Sequence, residues 1–571
     1  MSGTSSAPGR GESRAWDALA LVVLAARFGT CLAAGPGPAV VPEGSDWPQY
    51  LGAARMAAGD TEPALLAVWP DWRPAVYPRL LGAALAWTER GLAADGRPGE
   101  HVAAAAHLVG VVGIAGVLLG GWALARALGG VRAGLATAVL LAAGTLLVPA
   151  AAWLNPYALL AGLVAGSLAG AATWLGDDAP RSAGVAAWAG AFATGGLAGL
   201  AWGVDPRGIV AVAAVVLAAV AGRVRLRPVP RGASYVAAVL VGIVLGRSLE
   251  RACAPDGQVG AKVAFTEQVR RQIGLAREEW VARGPAEVVH ACGGDLADSP
   301  RSSLDDPGDS RAGVPSIPMF TRALVCARSL LPYNLAERHR DGELPAWPFL
   351  LLAGLPFLAP ARDTEHRRGV HRGVVLSVLG LPLAALLVNA SIGLLPDRYL
   401  LVFLAPLLAG MGVGTTMLVA GVCARVRAGR WRELAGLVLV GGIVAAAACV
   451  GPAPRVRVGP SKNGAAARDW LRAHLTAGDA AMDCAGLGLG ALWLPARLHP
   501  APYNLTGSDA HGCDAWVHDG AFGAGTHYVL TGSGGPRASA GPGWQVIDVF
   551  AAQTLPEEPP VTLWRAVAAP Q

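Results

Sequence analysis

Apolar runs of about 20 residues recur along most of this chain, each long enough to cross a bilayer as a helix. Backbone in hydrocarbon must satisfy its own hydrogen bonds, so each run reads as one helical span. The spacing predicts spans at 17–34, 102–125, 133–151, 157–175, 183–202, 208–222, 233–248, 345–360, 373–391, 399–422 and 434–452. That is about eleven helices. Composition agrees: the chain is 53% hydrophobic and 15% charged, where a soluble domain carries about 25% charged residues. Mean hydropathy is +0.44. Spans rich in Ala and Gly suit close backbone approach. The expected fold is an all-α polytopic membrane protein.

Arginine placement predicts the orientation. With residues 1–16 inside, the inner loops carry Arg126 and Arg132, then Arg181, then Arg223, Arg225, Arg227 and Arg231. The next two carry Arg362, Arg367, Arg368 and Arg372, then Arg425, Arg427, Arg430 and Arg432. The short outer loops hold Arg207 and Arg398. This asymmetry is the one the positive-inside rule describes, and it puts the N-terminus inside and the C-terminus outside. The first span reads as a retained anchor: Asp17 and Arg27 interrupt its apolar stretch, and it is followed by no convincing small-residue cleavage site. Lysine occurs only at Lys262 and Lys462, a usage that fits a GC-rich bacterial gene and hence the bacterial cytoplasmic (inner) membrane. The net charge of +6 sits in those inner loops and does not imply a nucleic-acid partner.

This topology gathers the residues capable of chemistry on the outer face, in segments 35–101, 249–344 and 453–571. Within about a dozen residues of the end of the first span comes Ser45-Asp46-Trp47-Pro48-Gln49-Tyr50. A carboxylate held among aromatics at a membrane interface is costly and marks a candidate site. Asp46 is a candidate general base, with Arg55, Arg79, Arg322, Arg328 and Arg398 as candidate phosphate-binding cations on the same side. Structural roles compete. Asp46 fits the N-cap of a helix starting near Trp47, with Pro48 in its first turn. Arg398 beside Tyr399 also fits an interface anchor, and Arg322 with Arg328 an amphipathic helix. Tyr77 and Pro78 fit the start of an interfacial helix. Arg27 can snorkel outward or pair with an outer acid.

The tail, 453–571, reads as a small α/β domain. A helix over 464–476 would put Ala465, Trp470, Leu471 and Leu475 on roughly one face, and β-like runs follow at 528–530, 544–550 and 561–564. It has neither a phosphate loop nor a nucleophile elbow, so a packing or substrate-gripping cap is its expected role. An oxidising exterior would favour a Cys484–Cys513 bridge and would allow Cys253–Cys292. His511, Cys513 and His518 imitate a metal cluster, but their spacing matches no standard site. No metal or other cofactor is assigned, and a divalent cation stays open as an alternative.

Several of these features come together in one resemblance. An outer-loop acid is followed four positions later by Tyr50. Then come Ala53-Ala54-Arg55-Met56-Ala57-Ala58-Gly59-Asp60 and Val76-Tyr77-Pro78-Arg79-Leu80-Leu81. Leu344-Pro345-Ala346-Trp347-Pro348 precedes an apolar span, and Asp397-Arg398-Tyr399-Leu400 precedes Ala405-Pro406. This order resembles the membrane-embedded GT-C glycosyltransferases, which include the protein O-mannosyltransferases and lipid A aminoarabinose transferases. The resemblance implies a GT-C-like transmembrane domain, 1–452, with outer loops 35–101 and 249–344, and an extracytoplasmic α/β domain, 453–571. It implies transfer of a sugar from a polyprenyl-phosphate donor to an envelope glycan, lipid or protein on the outer face. Asp46 would be catalytic, and Tyr50, Arg55, Arg79, Arg322 and Arg398 would bind substrate. One departure stands out: where many relatives carry an acid between the third and fourth spans, this chain has Asn155.

Two other readings stay open. A transporter or flippase would place ionisable groups at mid-membrane and show repeated halves; the spans are almost free of charge between their ends and show no internal repeat. An inactive relative acting in envelope assembly would fit Asn155.

Overall fold

The computed structural model describes residues 10–35, 50, 54, 57, 75–91, 98–144, 146–152, 154–175, 185–223, 229–253, 347–358, 373–391 and 397–423. In the tail it describes 466–467, 470–471, 473–474, 479–483, 497–500, 527–531, 544–550 and 561–566. The expected span 434–452 and the cysteines Cys292, Cys484 and Cys513 lie outside them.

Helix α1 (Arg10–Ala33) is followed by α2 (Val76–Gly91) and a long α3 (Pro98–Ala143). α3 contains two of the expected spans. It folds back at Gly130, whose φ of 81° is a left-handed conformation open to glycine. Across the fold, a Cβ on Gly121 would meet Leu141, and one on Gly134 would meet Trp122 and Arg126. The second half stops at Ala143 rather than reaching 151. Pro149 has no N–H, and its ring would clash with the carbonyl four residues back. The chain turns at Gly144, whose N–H bonds Leu141 O at 3.1 Å, and resumes as the one-turn α4 (Leu147–Ala150).

Then come α5 (Tyr157–Leu175), α6 (Val185–Val204), a 3-10 turn (Pro206–Gly208), α7 (Ile209–Arg223) and α8 (Val229–Cys253). Helix α9 (Trp347–Leu358) has 12 residues with Pro356 inside and lies within the span expected at 345–360. The span expected at 373–391 contains a π-turn, Leu376–Gly380, that runs into α10 (Leu381–Ser391). Pro382 explains it: widening the helix moves the preceding carbonyls away from a ring that donates no hydrogen bond. Helix α11 (Asp397–Cys423) closes the described bundle. Among the described residues, Ser13–Ala33, Ala103–Ala143, Tyr157–Trp174, Val185–Val204 and Leu401–Val422 are long and apolar enough to cross a membrane.

Small residues bring the helices together, as the composition implied. On α3, a Cβ at Gly116 would stand 2.7 Å from Gly162 Cα of α5, and one at Gly120 would stand 2.6 Å from the Ala165 carbonyl carbon. On α6, Gly195 and Gly199 press against the backbone of Val239 and Ile243 in α8. The apolar window of α11 is 83% buried and that of α1 only 17%, so α11 is central and α1 peripheral. Two polar contacts hold α1 in place. At one end, Arg126 Nε and Nη2 donate to Asp17 Oδ1 and Oδ2 at 2.7 and 2.8 Å. Near the other, Arg27 donates to the Gly144 carbonyl, a group released by the break in α3. The expectations for Arg27 did not include this carbonyl partner.

The tail contains a five-stranded mixed sheet of β1 (Ala480–Asp483), β2 (Arg497–Pro500), β3 (His527–Thr531), β4 (Trp544–Phe550) and β5 (Val561–Ala566). Its order is β2-β1-β3-β5-β4. β1 runs parallel to β2 and β3, and β5 antiparallel to β3 and β4. Its small core joins Ala467 and Leu471 to Tyr528, Leu530, Val561 and Leu563. The helical face is therefore Ala467, Trp470 and Leu471; Ala465 and Leu475 lie outside the described residues.

Candidate functional site

Helix direction gathers several loops at one end of the bundle, the expected outer face. There α1 ends, both halves of the α3 hairpin have their free ends, α5 and α7 begin, and α6 ends. Helix α2 joins this end through the start of α3. Thr88 Oγ1 donates to Leu85 O at 2.9 Å and to His101 O at 3.2 Å, and His101 Nδ1 lies 3.2 Å from Thr88 O.

Two tyrosines meet at this end of the bundle. The Tyr50 and Tyr77 rings meet edge to face, with centroids 5.3 Å apart and planes at 87°. Both are 1% exposed. Tyr50, Ala54 and Ala57 are helical, at the spacing that puts them on one face, and Tyr50 and Ala54 are buried. The Tyr77 hydroxyl is buried without a hydrogen-bond partner among the described residues. Burial first, and the neighbouring Tyr50 second, push its pKa well above the ordinary tyrosine value. Arg79 lies one turn inside α2 and is half-buried. Asp46, Arg55, Arg322 and Arg328 lie outside the described residues, and Arg398 falls in the first turn of α11. The structure thus joins Tyr50 to Tyr77.

A second cluster joins the loop before α5 to the loop after α6. Asn155-Pro156 and Asp205-Pro206 are matching helix starts, a capping side chain followed by proline. Asn155 Oδ1 accepts the Tyr157 N–H at 3.1 Å. Asp205 Oδ1 accepts the Arg207 N–H at 2.9 Å. The Arg207 guanidinium lies 3.3 Å from both Asp205 oxygens and 3.4 Å from the Tyr157 hydroxyl, and 5.7 Å from the centre of that ring. Asn155 and Asp205 are 3% exposed and Tyr157 1%. Nearby on α8, the Arg247 guanidinium sits 5.0 Å from the Trp202 ring centre.

Asp205 is the residue that sequence reasoning missed. Its loop was noted only for Arg207, yet an acid followed by proline between two apolar spans is a legible capping signal. It gives this end of the bundle a buried carboxylate, although Asn155 stands where an acid was expected. Among the described residues no group of three or more His, Cys, Asp or Glu side chains could hold a metal ion. His511, Cys513 and His518 lie outside them.

No protein-family model matches the sequence, and no curated protein matches it. Solved structures do match. The chain is similar over 99% of its length to 100% of ArnT from Cupriavidus metallidurans bound to undecaprenyl phosphate, at 15% identity and a TM-score of 0.52. The apo state of the same enzyme covers 98% of this chain and 99% of its own, at 17% identity and 0.49. The oligosaccharyltransferase of Archaeoglobus fulgidus in the apo form covers 90% of this chain and 69% of its own, at 12% identity and 0.43. The first of these likenesses shows a shared fold, and the GT-C resemblance is borne out at that level.

Proposed function

We propose that this protein is a membrane glycosyltransferase that moves a sugar from a polyprenyl-phosphate donor to an envelope glycan, lipid or protein at the outer face. The observation that carries the reading is the buried Tyr50–Tyr77 contact. It anchors Tyr50, and in the sequence Asp46 lies four residues before Tyr50 and Arg55 five after. The GT-C fold supports it, since ArnT of that fold was crystallised with undecaprenyl phosphate.

In this reading the Asp46 carboxylate takes the proton of an acceptor hydroxyl. The freed oxygen bonds to the anomeric carbon while the bond from that carbon to the phosphate oxygen breaks. The electron pair stays with the phosphate, giving polyprenyl phosphate and a glycosylated acceptor. Arg55, Arg79, Arg322 and Arg398 supply positive charge where the leaving phosphate gains negative charge. The tail, 453–571, caps this site as an extracytoplasmic domain. The chain sits in the bacterial inner membrane, with its N-terminus inside and its C-terminus outside.

Purified protein incubated with a panel of radiolabelled polyprenyl-phosphate sugars and an envelope extract should consume at least one donor and label the extract. A panel left intact would contradict the reading. Asn155 supports one second reading, a GT-C-fold protein without transfer activity that works in envelope assembly.

A further inference from the structure

We propose that the Asn155 amide nitrogen, at the N-terminus of α5, holds a phosphate oxygen of the lipid carrier. The inference rests on the transferase reading above and assigns a donor group within that site.

Asn155 Oδ1 is committed to the Tyr157 N–H at 3.1 Å. Covalent geometry keeps Nδ2 beside it, at the same helix end. That nitrogen is buried, on a residue 3% exposed, and has no hydrogen-bond partner among the described residues. An orphaned buried donor is costly, so native sites of this kind have a partner. With the oxygen occupied, the amide offers N–H alone, and the matching ligand is a group that only accepts. A sugar hydroxyl could use one half of its capacity there, whereas a phosphate oxygen matches fully.

The helix end points to the same charge. α5 has 19 residues, and its N-terminus carries partial positive charge. The neighbouring helix start makes the contrast. There the Asp205 carboxylate bonds the Arg207 backbone N–H and the Arg207 guanidinium, so that end carries its own anion. The α5 end has a neutral cap and, among the described residues, no built-in anion, with the guanidinium of Arg207 on the Tyr157 ring beside it.

Two capping variants separate this role from a structural one. Asn155→Ser keeps a neutral capping oxygen and loses the reach of the amide nitrogen; Asn155→Asp keeps the shape and replaces the donor with a second acceptor. Both should melt within a few degrees of the parent, because Ser, Asp and Asn cap comparably. Undecaprenyl phosphate in detergent should bind the parent. Affinity should fall about 10- to 100-fold in Asn155→Ser, the worth of a hydrogen bond to a charged group, and further in Asn155→Asp. Undecaprenol, which lacks the phosphate, should bind all three proteins alike. Inorganic phosphate should compete weakly with the parent if the headgroup alone is read.

Unchanged affinity in Asn155→Ser would overturn the inference even if Asn155→Asp binds poorly, since that pattern is charge repulsion alone. Equal losses for undecaprenol would overturn it too. In either case the parent still binds the carrier and the transferase reading survives. A parent that binds no undecaprenyl phosphate would end both.

Discussion

Arg207 donates to the Tyr157 hydroxyl at 3.4 Å while its guanidinium lies over the same ring. This contact ties the turn after α6 to the first turn of α5. The cation is also paired with Asp205, whose side chain is 4% exposed. Removing one partner of a buried pair leaves the other charge uncompensated. Arg207→Ala should therefore lower stability by on the order of 2 kcal/mol, read as a fall in melting temperature in detergent. Arg207→Lys should recover part of it. A melt unchanged in Arg207→Ala would mean that the two loops are held together by other contacts.

The glycine seam between α6 and α8 gives a controlled comparison on one helix. A Cβ on Gly199 would run into the backbone of Ile243, whereas one on Gly196 would meet only Gly242 O at 3.9 Å. Gly199→Ala should destabilise by about 1–3 kcal/mol, the cost of overpacking. Gly196→Ala should be neutral or slightly stabilising, because alanine is the better helix former. Melting curves of the two variants side by side decide it; equal effects would contradict the packing described.

Orientation is testable without any substrate. Asp17 and Arg126 are joined by two hydrogen bonds, so the start of α1 and the turn of the α3 hairpin share one side. In the orientation proposed above, that side faces the cytoplasm. A reporter active only outside the membrane, fused after Gln571, should be active, and one fused before α1 should be silent. Cytoplasmic activity after Gln571 would mean that the number of spans is wrong by an odd number.

Several span positions were legible because a bilayer imposes one length and one chemistry on each helix. Tyr157–Leu175 coincides with its expected span, and the turn at Gly130 falls between the two spans expected in α3. The misses have local causes. Pro149 and Pro382 disturb backbone hydrogen bonding inside segments whose hydropathy is uniform, and hydropathy does not register that. The strands Ala480–Asp483 and Arg497–Pro500 were missed because short runs such as Ala-Ala-Met-Asp lack β-branched and aromatic residues. Tyr50 was singled out by its distance from Asp46, whereas its packing on Tyr77 was not, because the two tyrosines are far apart in the sequence. Asp205 was passed over because its loop was read for positive charge alone. The partner of Arg27 is a backbone carbonyl exposed by a helix break, which no residue pattern announces.

The central claim is that the loop after α1 carries the general base. Asp46→Asn preserves shape and a capping oxygen and removes the base. In an assay where the parent transfers sugar from a polyprenyl-phosphate donor, this variant should insert and express normally. Its turnover should be lower by about 10²–10⁴-fold, with Asp60→Asn and Asp71→Asn close to the parent. Full turnover in Asp46→Asn together with an inactive Asp60→Asn or Asp71→Asn would move the base within the loop. Full turnover in all three would contradict the account.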